Sequence, residues 1–164
     1  MRINVALRAS ILLLLSTMLA GGPAAAQNIP PLDAEATPLH WAAGHGLTDI
    51  AARLIENGAD VNAVDEFGRT PLHEAVGYTD TAGLLIDSGA DVDAADVFGR
   101  TPLHMALQYP DTVALLISAG ADIFARDYMG DTPLERTLRY GTRSRNLVVI
   151  NLLLDAGAGD PRRQ

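Results

Sequence analysis

The run Thr-Pro-Leu occurs four times, at Thr37, Thr70, Thr101 and Thr132, and histidine follows it in the first three. The spacings are 33, 31 and 31 residues. Behind it Gly-Ala-Asp recurs at Gly58, Gly89 and Gly120, with a weaker echo in Gly157-Ala158-Gly159-Asp160. A unit of this length cannot bury a core alone, so consecutive units must stack and share one.

Each unit can be read residue by residue. Threonine is a good helix N-cap, and the proline after it occupies the first helical position, where no amide hydrogen is missed. In unit one a short helix is expected from Pro38 to about Gly44, broken by Gly44, His45 and Gly46. A second helix carries Leu47, Ile50, Ala51, Leu54 and Ile55 at one-stripe spacing. Gly58 stops it in the left-handed conformation that glycine adopts cheaply. Then come Asp60-Val61-Asn62-Ala63 and a turn at Asp65-Glu66-Phe67-Gly68, repeated as Asp96-Val97-Phe98-Gly99 and Asp127-Tyr128-Met129-Gly130. The pattern predicts helix, turn, helix and a projecting hairpin-like loop, with units at about 33–64, 65–95, 96–126 and 127–160.

The Asp-x-x-Gly-x-Thr-Pro-Leu-His run, the alanines after it and the Gly-Ala-Asp ending resemble the ankyrin repeat family over almost all of residues 33–160. The resemblance implies an all-α solenoid of about four helix-turn-helix units with finger loops along one edge. It also implies a concave face, lined by loop tips and first-helix ends, that holds protein partners. The departures are specific. From threonine to glycine, units two and three span 19 residues against 21 in unit one, so their inter-helix turns are tightened. Unit four spans 25, with Gly141 to Asn146 enlarging the turn, and it puts Glu135 where histidine would stand. Terminal units deviate because one face of each meets water.

The N-terminus reads as a cleaved secretory signal over 1–26: Arg2 and Arg8, an apolar run from Ile11 to Ala20, and Ala24-Ala25-Ala26 before Gln27. The run is short for a membrane span, and an uncleaved anchor is the alternative reading, since no charge falls between Ala9 and Ala26. Residues 27–32 are expected to be a linker and 161–164 a tail, and the chain is expected to be exported, to the periplasm of a bacterium. It has no cysteine, so disulfides play no part in holding it. Without the signal, 20 acids face 10 arginines, a surface unsuited to nucleic acid or to anionic lipid. The charge is polarised: residues 27–131 hold 17 acids and 4 arginines, residues 132–164 hold 3 acids and 6 arginines.

His40, His73 and His104 are the obvious catalytic or metal suspects. Repeat spacing sets them roughly 10 Å apart, the distance between packed helices, whereas ligands of one ion converge to about 2 Å from it. The family resemblance implies a structural role instead, hydrogen bonding within the turn and to the backbone of the next unit. No activated-serine setting, phosphate loop or calcium loop is present. The expectation is therefore a non-enzymatic chain with no cofactor and no metal. A small metal-dependent hydrolase using the histidines is the reading from another class.

Two outward rows repeat instead. Tyr78, Tyr109 and Tyr140 each follow their threonine by eight residues, with His45 in unit one. Phe67, Phe98 and Met129 stand at the loop tips beside Arg69, Arg100 and Asp131. By resemblance these line the concave face, and their types are enriched at interfaces; the tyrosines could equally fill space left by shortened turns. Glu66, Glu74, Asp80, Asp96 and Asp111 flank them, which favours a protein partner with a basic surface. The same surface would serve a secreted effector engaging a host protein. The last helix, Leu147-Val148-Val149-Ile150 and Leu152-Leu153-Leu154, is apolar nearly all round, so either the enlarged turn from Gly141 to Asn146 covers its second stripe or a second subunit does, and self-association is a further expectation.

Overall fold

The computed structural model describes residues 36–140 and 146–159. The expected signal (1–26), the linker (27–32), most of the enlarged turn (141–145) and the tail (161–164) lie outside the described residues. Among the described residues there are eight α-helices and no strand. They are α1 (Pro38–Gly44), α2 (Thr48–Glu56), α3 (Pro71–Glu74), α4 (Thr79–Asp87), α5 (Pro102–Met105), α6 (Pro110–Ser118), α7 (Pro133–Tyr140) and α8 (Asn146–Asp155), with a 3-10 turn, Ala75–Gly77, after α3.

Thr37, Thr70 and Thr101 are N-caps in extended conformation, each followed by proline at the first helical position, as the sequence predicts. The tightened turns of units two and three have a local cause. Helices α3 and α5 last one turn, and the chain leaves the helical conformation at Tyr78 and Tyr109 (φ −135° and −124°), which occupy the N-cap position of the second helix. Pro110 disfavours helix at the residue before it. Unit one keeps two more residues, so α1 is longer and His45 and Gly46 make the turn. In unit four Arg139 replaces the glycine of unit two at Gly77, and α7 runs unbroken to Tyr140.

The helices form two layers. First helices pack in series, α1 on α3 on α5 on α7, and second helices likewise, α2 on α4 on α6 on α8; within each unit the two helices touch. The shared core lies between the layers in columns. Leu39, Leu72 and Leu103 come from the first layer, and Leu54, Leu85, Leu116 and Leu153 from the second, all buried. Truncating such a leucine to alanine costs roughly 2–5 kcal/mol, a large share of the stability of a domain this size.

Candidate functional site

The three suspect histidines are rungs between units. Each Nδ1 accepts the amide of its own N-cap threonine, from Thr37 at 3.1 Å, Thr70 at 3.0 Å and Thr101 at 3.3 Å. An accepting Nδ1 leaves the proton on Nε2. The Nε2–H donates across the unit boundary, from His40 to the Arg69 carbonyl at 2.7 Å, from His73 to Arg100 at 3.0 Å and from His104 to Asp131 at 3.1 Å. Burial is the largest influence on all three rings and pushes their pKa values below the usual 6.5, outweighing the carbonyls that favour the charged form. All three side chains are thus engaged on both nitrogens at three separate boundaries. Among the described residues no group of three or more His, Asp or Glu side chains is arranged to hold a metal ion.

The finger loops are built from the inside outward. Asp65 Oδ1 accepts the amides of Phe67 and Arg69, and its Oδ2 holds the Arg69 guanidinium at 2.6 Å. Unit three repeats this with Asp96, Phe98 and Arg100. Burial raises the pKa of Asp65 and Asp96, but hydrogen bonds from the arginine and the phenylalanine amide together hold both carboxylates below 3.8. Adjacent loops join through backbone: Val97 N–H to the Phe67 carbonyl and Tyr128 N–H to the Phe98 carbonyl, both 2.9 Å. The guanidinium then covers the ring beside it, Arg69 over Phe67 at 5.0 Å and Arg100 over Phe98 at 4.9 Å.

The tip row points to solvent: Phe67 is 43% exposed, Phe98 52% and Met129 64%. Arg69 and Arg100 stand beside it with guanidinium groups already paired, Arg69 also to Glu74 at 2.7 Å. They stiffen the loops as much as they face outward. Two of the flanking acids change status. Asp96 is buried and paired, and Glu74 is paired, which leaves Glu66, Asp80 and Asp111 as the exposed carboxylates of that set. Asp131, aligned with Arg69 and Arg100, is buried and not a surface residue.

The tyrosine row divides. The ring of Tyr78 lies on Gly46 of the preceding unit, leaving no room for a side chain there, and Tyr109 lies over Gly77 in the same way, 3.4 Å from where a Cβ would be. Both rings remain partly exposed, one face packed and one free. Tyr140 is different because α7 does not break. Its hydroxyl reaches Met129 Sδ at 3.7 Å, and the guanidinium groups of Arg136 and Arg139 lie near its ring. His45 is exposed and stacks on Trp41 with its Nδ1 at the Trp41 carbonyl. Tyr128, 80% exposed, enters the sequence reading only as part of its turn and not as a contact residue. It occupies the position of Glu66 and Val97, so the period alone could have found it.

A family model for ankyrin repeats, three copies, matches residues 10–96 and 77–164. Among curated relatives, the chain is 58% identical over 40 residues to an ankyrin repeat protein of Rickettsia bellii, covering 24% of this chain and 17% of that protein. It is 45% identical over 51 residues to ankyrin repeat domain-containing protein 37 of Bos taurus, 31% and 32% of the two chains. With Rabankyrin-5 of Homo sapiens it shares 55% over 40 residues, 24% and 3%. The similarity thus spans a third or less of each relative.

Proposed function

Because this chain belongs to the ankyrin-repeat family, whose stacked units imply a scaffold for protein–protein interaction, we propose that it is a non-catalytic binding protein acting after export, in the periplasm. The leader-like start supports the compartment. The binding face combines the loop tips Phe67, Phe98 and Met129, their neighbours Arg69 and Arg100, and Tyr78, Tyr109 and Tyr140. One observation carries the reading: exposed aromatic side chains sit on backbone that is fastened at every step, by Asp65 and Asp96 from within and by the neighbouring loop from the side. A face held this way loses little conformational freedom on docking. Glu66, Asp80 and Asp111 beside the aromatics favour a partner with a basic surface, drawn in electrostatically.

The test is affinity capture from the native envelope with the wild type and with the Phe98→Ala/Tyr109→Ala double variant. A specific protein with a basic surface should be lost from the variant at least tenfold while its melting temperature stays close to wild type. Equal capture by both would reject the face, and loss of the fold in the variant would make the row a packing element.

A further inference from the structure

In the second-helix layer the same positions look forward at the first two boundaries. Thr48 Oγ1 meets Thr81 Oγ1 of the next unit at 2.7 Å, and Thr79 Oγ1 meets Thr112 Oγ1 at 2.9 Å. Four residues after Thr79, Gly83 also faces forward: a Cβ there would come within 3.9 Å of Leu115 Cδ2. Ile86, three residues further, is packed against the core. Each helix ends at its Gly-Ala, and counting back from Gly157 as from Gly89 sets Leu147, Asn151 and Leu154 of α8 at these forward positions. Leu154 lies against Gly159, its Cδ2 2.9 Å from where a Cβ there would be, and among the described residues no following unit covers the three. Val149 and Leu153 are fully buried, while Leu147 is 61% exposed, Val148 51% and Leu154 44%, with Asn151 exposed between them.

The first-helix layer of the same unit ends otherwise. Glu135 turns its carboxylate back onto the Thr132 amide at 2.8 Å and sends nothing forward. A further repeat would require both layers, because every inner boundary couples the helix stripe to a histidine rung. At this end only the stripe continues the inter-unit interface, so the occupant it fits is a single helix.

We propose that this occupant is α8 of a second copy of the chain, packed antiparallel across a two-fold axis near Asn151. The stripe is self-complementary, as an isologous contact must be. No charge lies between Leu147 and Leu154, so a chain whose net charge is −8 can approach itself here without the repulsion its acidic units would meet elsewhere. Antiparallel pairing brings Asp155, at the end of one helix, to the positive N-terminal end of the other. Two Asn151 side chains at the axis can hydrogen-bond and fix the register, as single polar residues do in helix pairs. One short helix from each side buries less than the roughly 1,200 Å² of a stable complex, so the dimer is reversible and concentration-dependent. The contact is on the second-helix layer and is independent of the loop-tip face.

The absence of cysteine supplies the experiment. Under mild oxidation the purified Asn151→Cys chain should form a covalent dimer at least tenfold faster than Asn57→Cys, an exposed control at the end of α2. Sedimentation of the wild type should move toward twice the monomer mass as concentration rises, and Leu147→Glu/Leu154→Glu should weaken that association at least tenfold. Equal cross-linking of Asn151→Cys and Asn57→Cys overturns the proposal. So does a wild-type monomer at every concentration up to the millimolar range, or growth beyond two copies. If the double glutamate variant fails to fold, the cross-linking rates alone decide. Loss of the dimer with intact partner capture separates this contact from the binding face.

Discussion

At the boundary between units two and three, His73 fills the gap behind its threonine and reaches forward to the Arg100 carbonyl. In unit four, which has no described unit beyond it, Glu135 caps the same way, and its carboxylate reaches back to Arg126 at 3.2 Å instead of forward. The loops differ in parallel. Asp65 and Asp96 are neutralised from within their own loops by Arg69 and Arg100, whereas Asp127 is neutralised from α7 by Arg136 at 2.7 Å. The arginine position itself has become Asp131, buried, with Arg139 on one oxygen and no hydrogen-bond partner for the other. The difference teaches that residue choice in a stack follows the presence of a neighbour. Where a described unit follows, a side chain with two working nitrogens is used; in the last described unit the cap sends no bond forward.

His73→Ala should strain this comparison most. It removes a cap and a rung and leaves the Arg100 carbonyl without its donor, a loss of about 2–4 kcal/mol by the cost of unsatisfied buried groups and lost caps. Glu135→Ala, which removes a cap within its own turn and an exposed pairing with Arg126, should cost clearly less. Thermal melts of the two variants check the order; equal losses would mean that the rung contributes little.

Next in size is a pair of glycines. Gly99 and Gly130 occupy the same turn with φ +73° and +78°, but a Cβ on Gly99 would meet Tyr128 Cδ1 at 2.9 Å and its backbone nitrogen at 3.1 Å, while Gly130 faces open space. Gly130→Ala should cost only the left-handed conformation, about 1–2 kcal/mol. Gly99→Ala should exceed it, because the following loop cannot retreat without breaking the Tyr128-to-Phe98 backbone bond. Denaturant titration measures the gap, and its absence would show the loop junction to be slack.

The smallest effect per residue is the pH response. The histidines titrate lower in the stack than the 6.5 of the free side chain, so the unfolded chain binds more protons as pH falls below that value. Their contribution is complete above about pH 6.5 and declines as pH falls toward the folded values, by at most roughly 1.4 kcal/mol per pH unit for each ring. His104→Ala should flatten this slope by one ring's share, with a melt series between pH 7 and 5 as the readout. A second loss follows below 3.8, as Asp65, Asp96 and Asp127 are protonated through their depressed values.

The scaffold was legible because its demands recur in identical residues: threonine and proline start each first helix, and glycine stops each second one. The histidine role was legible for the same reason, and histidine lapses in unit four, the last described unit. The state of the candidate face was less so. That Arg69 and Arg100 are paired depends on Asp65 and Asp96 turning inward, and spacing alone gives no direction to a loop carboxylate. The joint replacement by Asp131 and Arg136 in unit four was a signal of that pairing. Tyr140 keeps the tyrosine spacing yet leaves the row, because its helix has neither the glycine of unit two, Gly77, nor the proline of unit three, Pro110, to stop it.

The histidine rungs are tested most directly by imidazole nitrogen-15 spectra of the folded protein at neutral pH, with and without added zinc. Three rings protonated on Nε2 when neutral, unchanged by the metal and titrating below 6.5, are expected. Rings that titrate near 6.5, carry the proton on Nδ1, or shift together when zinc is added would contradict the structural role and return the histidines to chemistry.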